Sequence, residues 1–294
     1  MKLRHGQAVA LMVLVTALWS TAGVVTRLLD AARSFEVTFW RSFFTVVSLM
    51  VILPLWQGAG VWQRIPWRSR YFWLSGMCWS VMFTAFMVAL TLTAVANVLI
   101  TMAVGPLVTA LFTRVLLQHR LPARTWGAIV AAGAGIAWMY GQQLSLGAPN
   151  VLWGSLVALC VPLAGATQWT LVQKSHAEGL ELDLVPSVLL GAVISSLVTL
   201  PLAWPLQASA HDVGWLAMLG LFQLAIPCTL SVVCARVLKA PEVSLLALLE
   251  IVFGIVLAWL GAQEAPQASV LLGGALVMGA LVVNEWLGWR DKHV

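Results

Sequence analysis

An all-α integral membrane protein, with ten transmembrane helices arranged as two inverted five-helix repeats, is the fold class this sequence predicts, and three observations predict it. Hydrophobic residues make up 61% of the 294 and charged residues 9%, with a mean hydropathy of +0.93, which leaves too little polar surface to coat a soluble globule. Apolar runs long enough to cross ~30 Å of hydrocarbon recur from residue 7 to residue 287. The net charge of +5 comes from basic residues set between those runs, so their placement reports topology. A tethered soluble enzyme domain, a nucleic-acid binder and a disordered chain are all excluded by this composition.

Dividing the chain at charges, Pro/Gly clusters and aromatic belts gives ten spans. They lie near 7–29, 36–56, 70–90, 94–117, 123–140, 151–173, 185–205, 213–235, 241–260 and 268–287. The first follows a short basic segment but continues too long for a signal peptide, and Arg27-Leu-Leu-Asp30 is no small-residue cleavage site. Spans three and four are separated by three residues only, yet their combined length forbids a single crossing. Trp56, Trp62, Trp67, Trp138, Trp153, Trp204, Trp215, Trp286 and Trp289 cluster at span ends and read as interfacial anchors. Cys78, Cys160, Cys228 and Cys234 fall inside apolar segments without metal-ligand spacing, so no metal site and no disulfide framework is expected.

With the N-terminus inside, thirteen of the sixteen basic residues lie in cytoplasmic segments: Lys2, Arg4, Arg64, Arg68, Arg70, Arg114, Arg120, Arg124, Lys174, Arg236, Lys239, Arg290 and Lys292. Arg27 and Arg33 fall outside and Arg41 within span two. By the positive-inside rule both termini are therefore expected in the cytoplasm.

Residues 93–120 align without gaps on residues 238–265, and one residue of slip then superposes Gly127 on Gly273 and Gly133 on Gly279. The match is one of pattern more than letters. Five spans per half means that the second copy enters from the opposite side, which divides the chain into repeats 1–145 and 146–294. The charges agree, because the connection after span four carries Arg114, Arg120 and Arg124 whereas its counterpart after span nine has no Lys or Arg. Inverted repeats of this kind are the geometry of alternating access around a midplane site.

The blocks Ala17-Leu18-Trp19-Ser20, Phe39-Trp40-Arg41, Ala89 to Asn97 leading into Gly105-Pro106, and Leu248-Leu249-Glu250 before Gln263-Glu264 occur in order along nearly the whole chain. In these the sequence resembles the EamA-type families of the drug/metabolite transporter superfamily. It departs from them at Gln118-His119, where the family usually reads Gly-Glu, and at Glu250-Ile251, where it usually reads Glu-Pro. The resemblance implies a ten-helix exporter of small metabolites, amino acids foremost, in a bacterial-type inner membrane.

Among residues that carry chemistry, Pro106, Pro162 and Pro227 sit inside spans four, six and eight. Each removes a backbone hydrogen bond, which kinks the helix and suits a bend around a central cavity. Polar groups at depth must be paired or hydrated. Gln168 and Gln223 offer donor and acceptor to a carboxylate or amide, or to a neighbouring helix. Ser80, Thr84, Asn97 and Thr101 are weaker candidates, since hydroxyls also satisfy themselves on the preceding turn. Arg41 reads as snorkelling towards the outer surface. Trp19, Trp79, Trp169 and Trp259 are indoles that stack on a substrate, fill core volume or face lipid; Trp19 ranks first because it also carries the resemblance. His119 reads as a cap on span four. The small-residue spacings Gly127-x-x-x-Ala131-x-x-x-Gly135 and Ala275-x-x-x-Gly279 read as helix packing, within a protomer or in a homodimer.

Glu250 is the clearly midplane acid. Nine residues past Pro241, at ~1.5 Å per residue, it lies roughly 13 Å into the hydrocarbon. A carboxylate there must be neutral, paired or hydrated, and a proton would compete for it with a substrate ammonium, which is a route to coupling. Glu264, by contrast, reads as lying outside the core. The sequence thus predicts a secondary transporter with a small-molecule substrate and the bilayer as its partners, no cofactor, no nucleic acid, and a monomeric or homodimeric state. A drug or nucleotide-sugar carrier is the alternative. A membrane enzyme is the distant one, since no Walker, nucleophile-elbow, HExxH or paired-carboxylate pattern is present.

Overall fold

A computed structural model gives the fold and describes residues 3–32, 34–117, 123–145, 149–180 and 182–290. Gln118, His119, Arg120, Lys2, Arg33 and Lys292 lie outside the described residues, and with them the cap expected of His119. The described elements are helical, in the order α1 (His5–Trp19), α2 (Thr21–Thr26), α3 (Ser34–Gln57), a 3₁₀ turn (Ala59–Arg64), α4 (Arg70–Leu92), α5 (Val95–Met102) and α6 (Gly105–Leu117). There follow α7 (Ala123–Ser145), α8 (Pro149–Ala177), α9 (Pro186–Ala203), α10 (Ala210–Met218), a π-helical stretch (Leu219–Ala225), α11 (Ile226–Cys234), α12 (Ala240–Ala247), α13 (Leu249–Ala262) and α14 (Ala268–Arg290).

Eight helical segments among the described residues are long and apolar enough to cross a membrane: His5–Thr26, Phe35–Gln57, Arg70–Leu92, Val95–Val115, Leu152–Ala177, Pro186–Ala203, Ala210–Cys234 and Glu242–Ala262. The fifth and tenth expected spans correspond to α7 and α14, whose apolar stretches Trp126–Gly135 and Ala268–Ala280 are shorter. These two helices pack on each other. A Cβ on Gly135 would stand 2.8 Å from the Gly273 carbonyl, so the small-residue stripe serves packing inside one chain at this point.

Four segments read from sequence as single helices are interrupted. In the first, the chain turns at Ser20, whose hydroxyl donates to the Ala17 carbonyl at 2.7 Å, while Thr16 and Thr21 donate to Val13 and Leu18. In the fourth, Pro106 lacks an N–H for the carbonyl one turn back, and the helix stops at Ala103 and restarts at Gly105. In the eighth, the π-helical stretch precedes Pro227, which opens α11 where its missing donor costs least. In the ninth, the break falls at Leu248 with no Pro or Gly there to cause it. The C-caps Ala103 and Leu248 are 145 residues apart, which is the offset at which 93–120 aligns on 238–265.

Helix pairing brings α3 against α9, α4 against α8 and α9, α1 against α11 and α13, and α5 against α13. The α4–α9 crossing is close because Gly191 lies against Trp79, where a Cβ would come within 2.4 Å of the Trp79 Cβ. Two buried apolar clusters result. One, built on Met12, Leu53, Phe72 and Val188, lies toward the end that carries most of the basic residues; the other, built on Val25, Leu90, Leu99 and Leu219, lies toward the opposite end.

That opposite end is held by three carboxylates. Glu264 accepts from Arg27 Nε at 2.5 Å and from the Val95 N–H at 2.7 Å, while the same guanidinium donates to the Leu90 and Thr93 carbonyls. Asp212, fully buried, accepts from the N–H groups of Asp30, Ala31 and Ala32 at 2.8–3.0 Å. Glu36 accepts from the N–H groups of Gln207 and Ala208. Glu264 is thus tied to Arg27 and to the start of α5, partners the sequence reading did not include, because the α4–α5 turn presents the Val95 N–H to it.

Candidate functional site

Between the two apolar clusters lies a cavity of about 120 Å³, large enough to hold several waters. Its walls come from the places where helices are interrupted. The end of α1 contributes Trp19, the α5–α6 break Met102, Gly105 and Pro106, the π-helical stretch Gln223, and the α12–α13 break Leu248, Glu250 and Ile251. Unbroken helices fill the rest: Arg41 from α3, Trp79, Phe83 and Phe86 from α4, and Pro162 and Trp169 from α8. Broken helices at membrane depth are tolerated where the freed backbone lines a cavity.

The lining is an aromatic box with few polar groups, and several of those lack partners. Trp79 lies 5.8 Å from Trp169 in a T-shaped contact and 5.6 Å from Phe83. Trp79 Nε1 is buried with no hydrogen-bond partner among the described residues. Arg41, fully buried, donates through Nη1 to Gln223 Oε1 at 3.0 Å and through Nη2 to the Phe83 carbonyl at 2.6 Å, and its carbon sits 6.0 Å from the Phe86 ring centroid. Its Nε has no hydrogen-bond partner among the described residues. Gln223 is held in turn by a bond from Nε2 to the Trp19 carbonyl at 3.4 Å. Glu250 is 7% exposed, and no ion pair within 4.0 Å joins it to Arg41 among the described residues. Buried polar groups are rarely left unpaired, so two orphan donors and a carboxylate around one cavity describe a place for a polar, partly apolar guest.

From the residues singled out in the sequence the cavity gathers Trp19, Arg41, Trp79, Pro106, Pro162, Trp169, Gln223 and Glu250, and leaves Ser80, Thr84, Asn97, Thr101, Gln168, Pro227 and Trp259 out of its lining. Gln168 turns away, accepting from Ser75 at 2.8 Å, which also meets Ser187 at 2.6 Å, so it ties α8 to α4 and α9. Thr84 meets Ser195 on α9 at 2.9 Å. Ser80 is buried beside the α9 crossing without lining the cavity. Asn97 donates to Thr93 Oγ1 and Thr101 to the Asn97 carbonyl, both local contacts. Pro227 opens α11 behind the lining. Trp259 is 55% exposed and faces outward.

Arg41 corrects the sequence reading: it does not snorkel. A signal for this was present, because Thr38, Arg41, Ser42 and Thr45, spaced one helical turn apart, form a polar stripe, and all four are fully buried. The Thr109–Ser244 hydroxyl pair, 2.8 Å apart and bridging α6 to α12 at the cavity wall, carried no such signal. One group of metal-ligating type, Asp30, His211 and Asp212, occurs among the described residues at the far end, where Asp212 already spends its oxygens on backbone donors.

Comparison with known proteins agrees with this architecture. A solved structure described only as "Crystal structure of protein" superposes with a TM-score of 0.69 at 20% identity, covering 97% of this chain and 99% of its own, so the fold is shared along the whole length. No curated protein matches the chain. The family model described as "EamA-like transporter family" matches residues 6–141. That match takes in α1 to α6 and most of α7, and with them Trp19, Arg41 and the α5–α6 break. Over residues 6–141, somewhat under half of its length, this chain thus matches the EamA-like transporter family, which is part of the drug/metabolite transporter superfamily.

Proposed function

We propose that this protein is a secondary transporter that exports small amphipathic metabolites, amino acids being the leading class, by alternating access around the central cavity. The observation that carries the reading is one small aromatic cavity lined by Arg41 and Trp79, each with a buried N–H donor that has no partner among the described residues, and by the buried acid Glu250. A zwitterion with an apolar side chain offers a carboxylate to the donors, an ammonium to Glu250 and apolar surface to the rings. In this reading Trp19, Gln223 and Glu250 form the substrate wall, while Pro106, Pro162 and Pro227 mark helices that flex.

Ten spans in two inverted repeats, 1–145 and 146–294, complete the proposal. The shared 145-residue offset of the α5–α6 and α12–α13 breaks supports it, as does the pairing of α3 with α9 and α7 with α14, elements in like positions of the two halves. Both N-terminal ends created by the breaks, at Gly105 and Leu249, adjoin the cavity, an arrangement suited to an anionic substrate group. The basic end is cytoplasmic in this account. The aromatic box with a single acid also favours a second reading, a carrier of organic cations.

Flux into and out of proteoliposomes with an amino-acid panel and an organic-cation panel, each with and without a pH gradient, tests the proposal. Saturable flux of zwitterions supports it. Flux of cations alone moves the assignment to the second reading, and no flux of either removes both.

A further inference from the structure

A second cavity, of about 360 Å³, lies between the basic ends of α4 and α8. Arg70, Tyr71 and Leu74 line one side, and Thr170, Leu171 and Lys174 the other. Each set repeats at one-turn spacing and so shares a helix face. Arg70 opens α4 and Lys174 lies three residues before the end of α8, which puts both cations at headgroup depth with Leu74 and Leu171 about a turn deeper.

The polar groups are incompletely used. Arg70 has no carboxylate within 4.0 Å among the described residues; its guanidinium lies 5.6 Å from the Tyr71 ring and otherwise interacts with the Tyr71 hydroxyl, a neutral partner. Lys174 meets Glu178 only at 3.9 Å, and one Glu178 oxygen is already taken by the Tyr71 hydroxyl at 2.5 Å. Thr170 is fully buried, lines this cavity, and its Oγ1 has no hydrogen-bond partner among the described residues. The neighbouring residue, Trp169, lines the central cavity, so the two cavities face different sides of α8.

We propose that this second cavity binds the headgroup of an anionic phospholipid. Two cations at the rim and a buried hydroxyl below them match a phosphodiester, and the apolar floor matches the start of the acyl chains. A lipid is the source the surroundings favour over free phosphate, because the flank beyond Leu74 is apolar and exposed at Trp73, Leu74 and Met77. The site rests on the chain being embedded in a bilayer and not on the transport reading, so its test needs no substrate.

Native mass spectrometry of the purified protein, exchanged with phosphatidylglycerol or phosphatidylcholine of matched acyl chains, reads occupancy directly. Phosphatidylglycerol should be retained in preference, and the Arg70→Gln/Lys174→Gln protein should lose about tenfold in its retention with phosphatidylcholine unchanged. Thr170→Val should lower it without removing a charge, which keeps the proposal testable should the double variant not fold. Arg64→Gln, at an exposed position on the same end, should have no effect. Equal retention of the two lipids, an equal loss in Arg64→Gln, unchanged retention in the folded double variant or in Thr170→Val, or displacement of lipid by excess inorganic phosphate would each overturn it.

Discussion

Replacing Glu264 by Ala removes the acceptor that joins three segments at the end of the bundle away from the basic residues. Two bonds are lost, one from the Arg27 guanidinium at 2.5 Å and one from the Val95 N–H at the start of α5 at 2.7 Å. A hydrogen bond to a charged group contributes ~1.5–3 kcal/mol and a helix N-terminal acceptor ~1 kcal/mol. Both side chains of the pair are about a quarter exposed, which trims the Coulombic part. The expected loss is about 2–3 kcal/mol. Glu264→Gln keeps an oxygen for Val95 and loses the charge, and should cost about half as much. Equilibrium unfolding in a mild detergent, followed by tryptophan fluorescence, measures both. A loss below ~0.5 kcal/mol for Glu264→Ala, the range of an ordinary surface substitution, would refute the reasoning.

Three further outcomes follow from the geometry. Gly191→Ala places a Cβ 2.4 Å from the Trp79 Cβ and 2.9 Å from the Gly76 carbonyl, so it should destabilise by about 1–3 kcal/mol in the same unfolding assay, whereas Gly127→Ala, with open space around it, should be neutral or better. Trp19→Ala should raise KM for a bulky substrate more than for a small one, because it removes one wall of the cavity; equal losses for both, together with loss of folded protein, would make Trp19 a packing residue. Cysteines introduced at Pro66 and Leu180 in a cysteine-free background should be labelled only from the cytoplasmic side, and labelling from the other side would reverse the topology.

Much of the fold was legible because hydropathy and charge are one-dimensional properties: each α-helix among the described residues overlaps an expected span. Interruptions were legible only where a residue causes them. Gly105-Pro106 announces its own break, but the break at Leu248 is imposed by packing around the cavity and has no local marker. The side a polar residue faces was harder still. Gln168 and Gln223 are alike in depth and chemistry, yet Gln168 Oε1 is turned to Ser75, with its Nε2 unpartnered among the described residues, while Gln223 braces Arg41, and only the rotation of α8 and the π-helical stretch against their neighbours separates them. Arg41 was misplaced because its depth alone permits snorkelling, whereas its polar stripe with Thr38, Ser42 and Thr45 points inward. Nothing in the sequence pattern pairs Glu264 with the Arg27 guanidinium, 237 residues earlier, or with the Val95 N–H, 169 residues earlier, so its partners are visible only in the structure.

The central claim is that the cavity is a transport site at which Glu250 links substrate movement to a proton gradient, and pH-gradient-driven flux through Glu250→Gln protein in proteoliposomes tests it most directly. Glutamine keeps the shape and a hydrogen-bonding oxygen but can neither ionise nor exchange a proton with a substrate ammonium. The account predicts that the variant folds, with an unfolding midpoint close to wild type because Glu250 makes no hydrogen bond or ion pair within 4.0 Å among the described residues, and that the gradient no longer accelerates its flux. Gradient-driven flux at the wild-type rate in folded Glu250→Gln protein would contradict it.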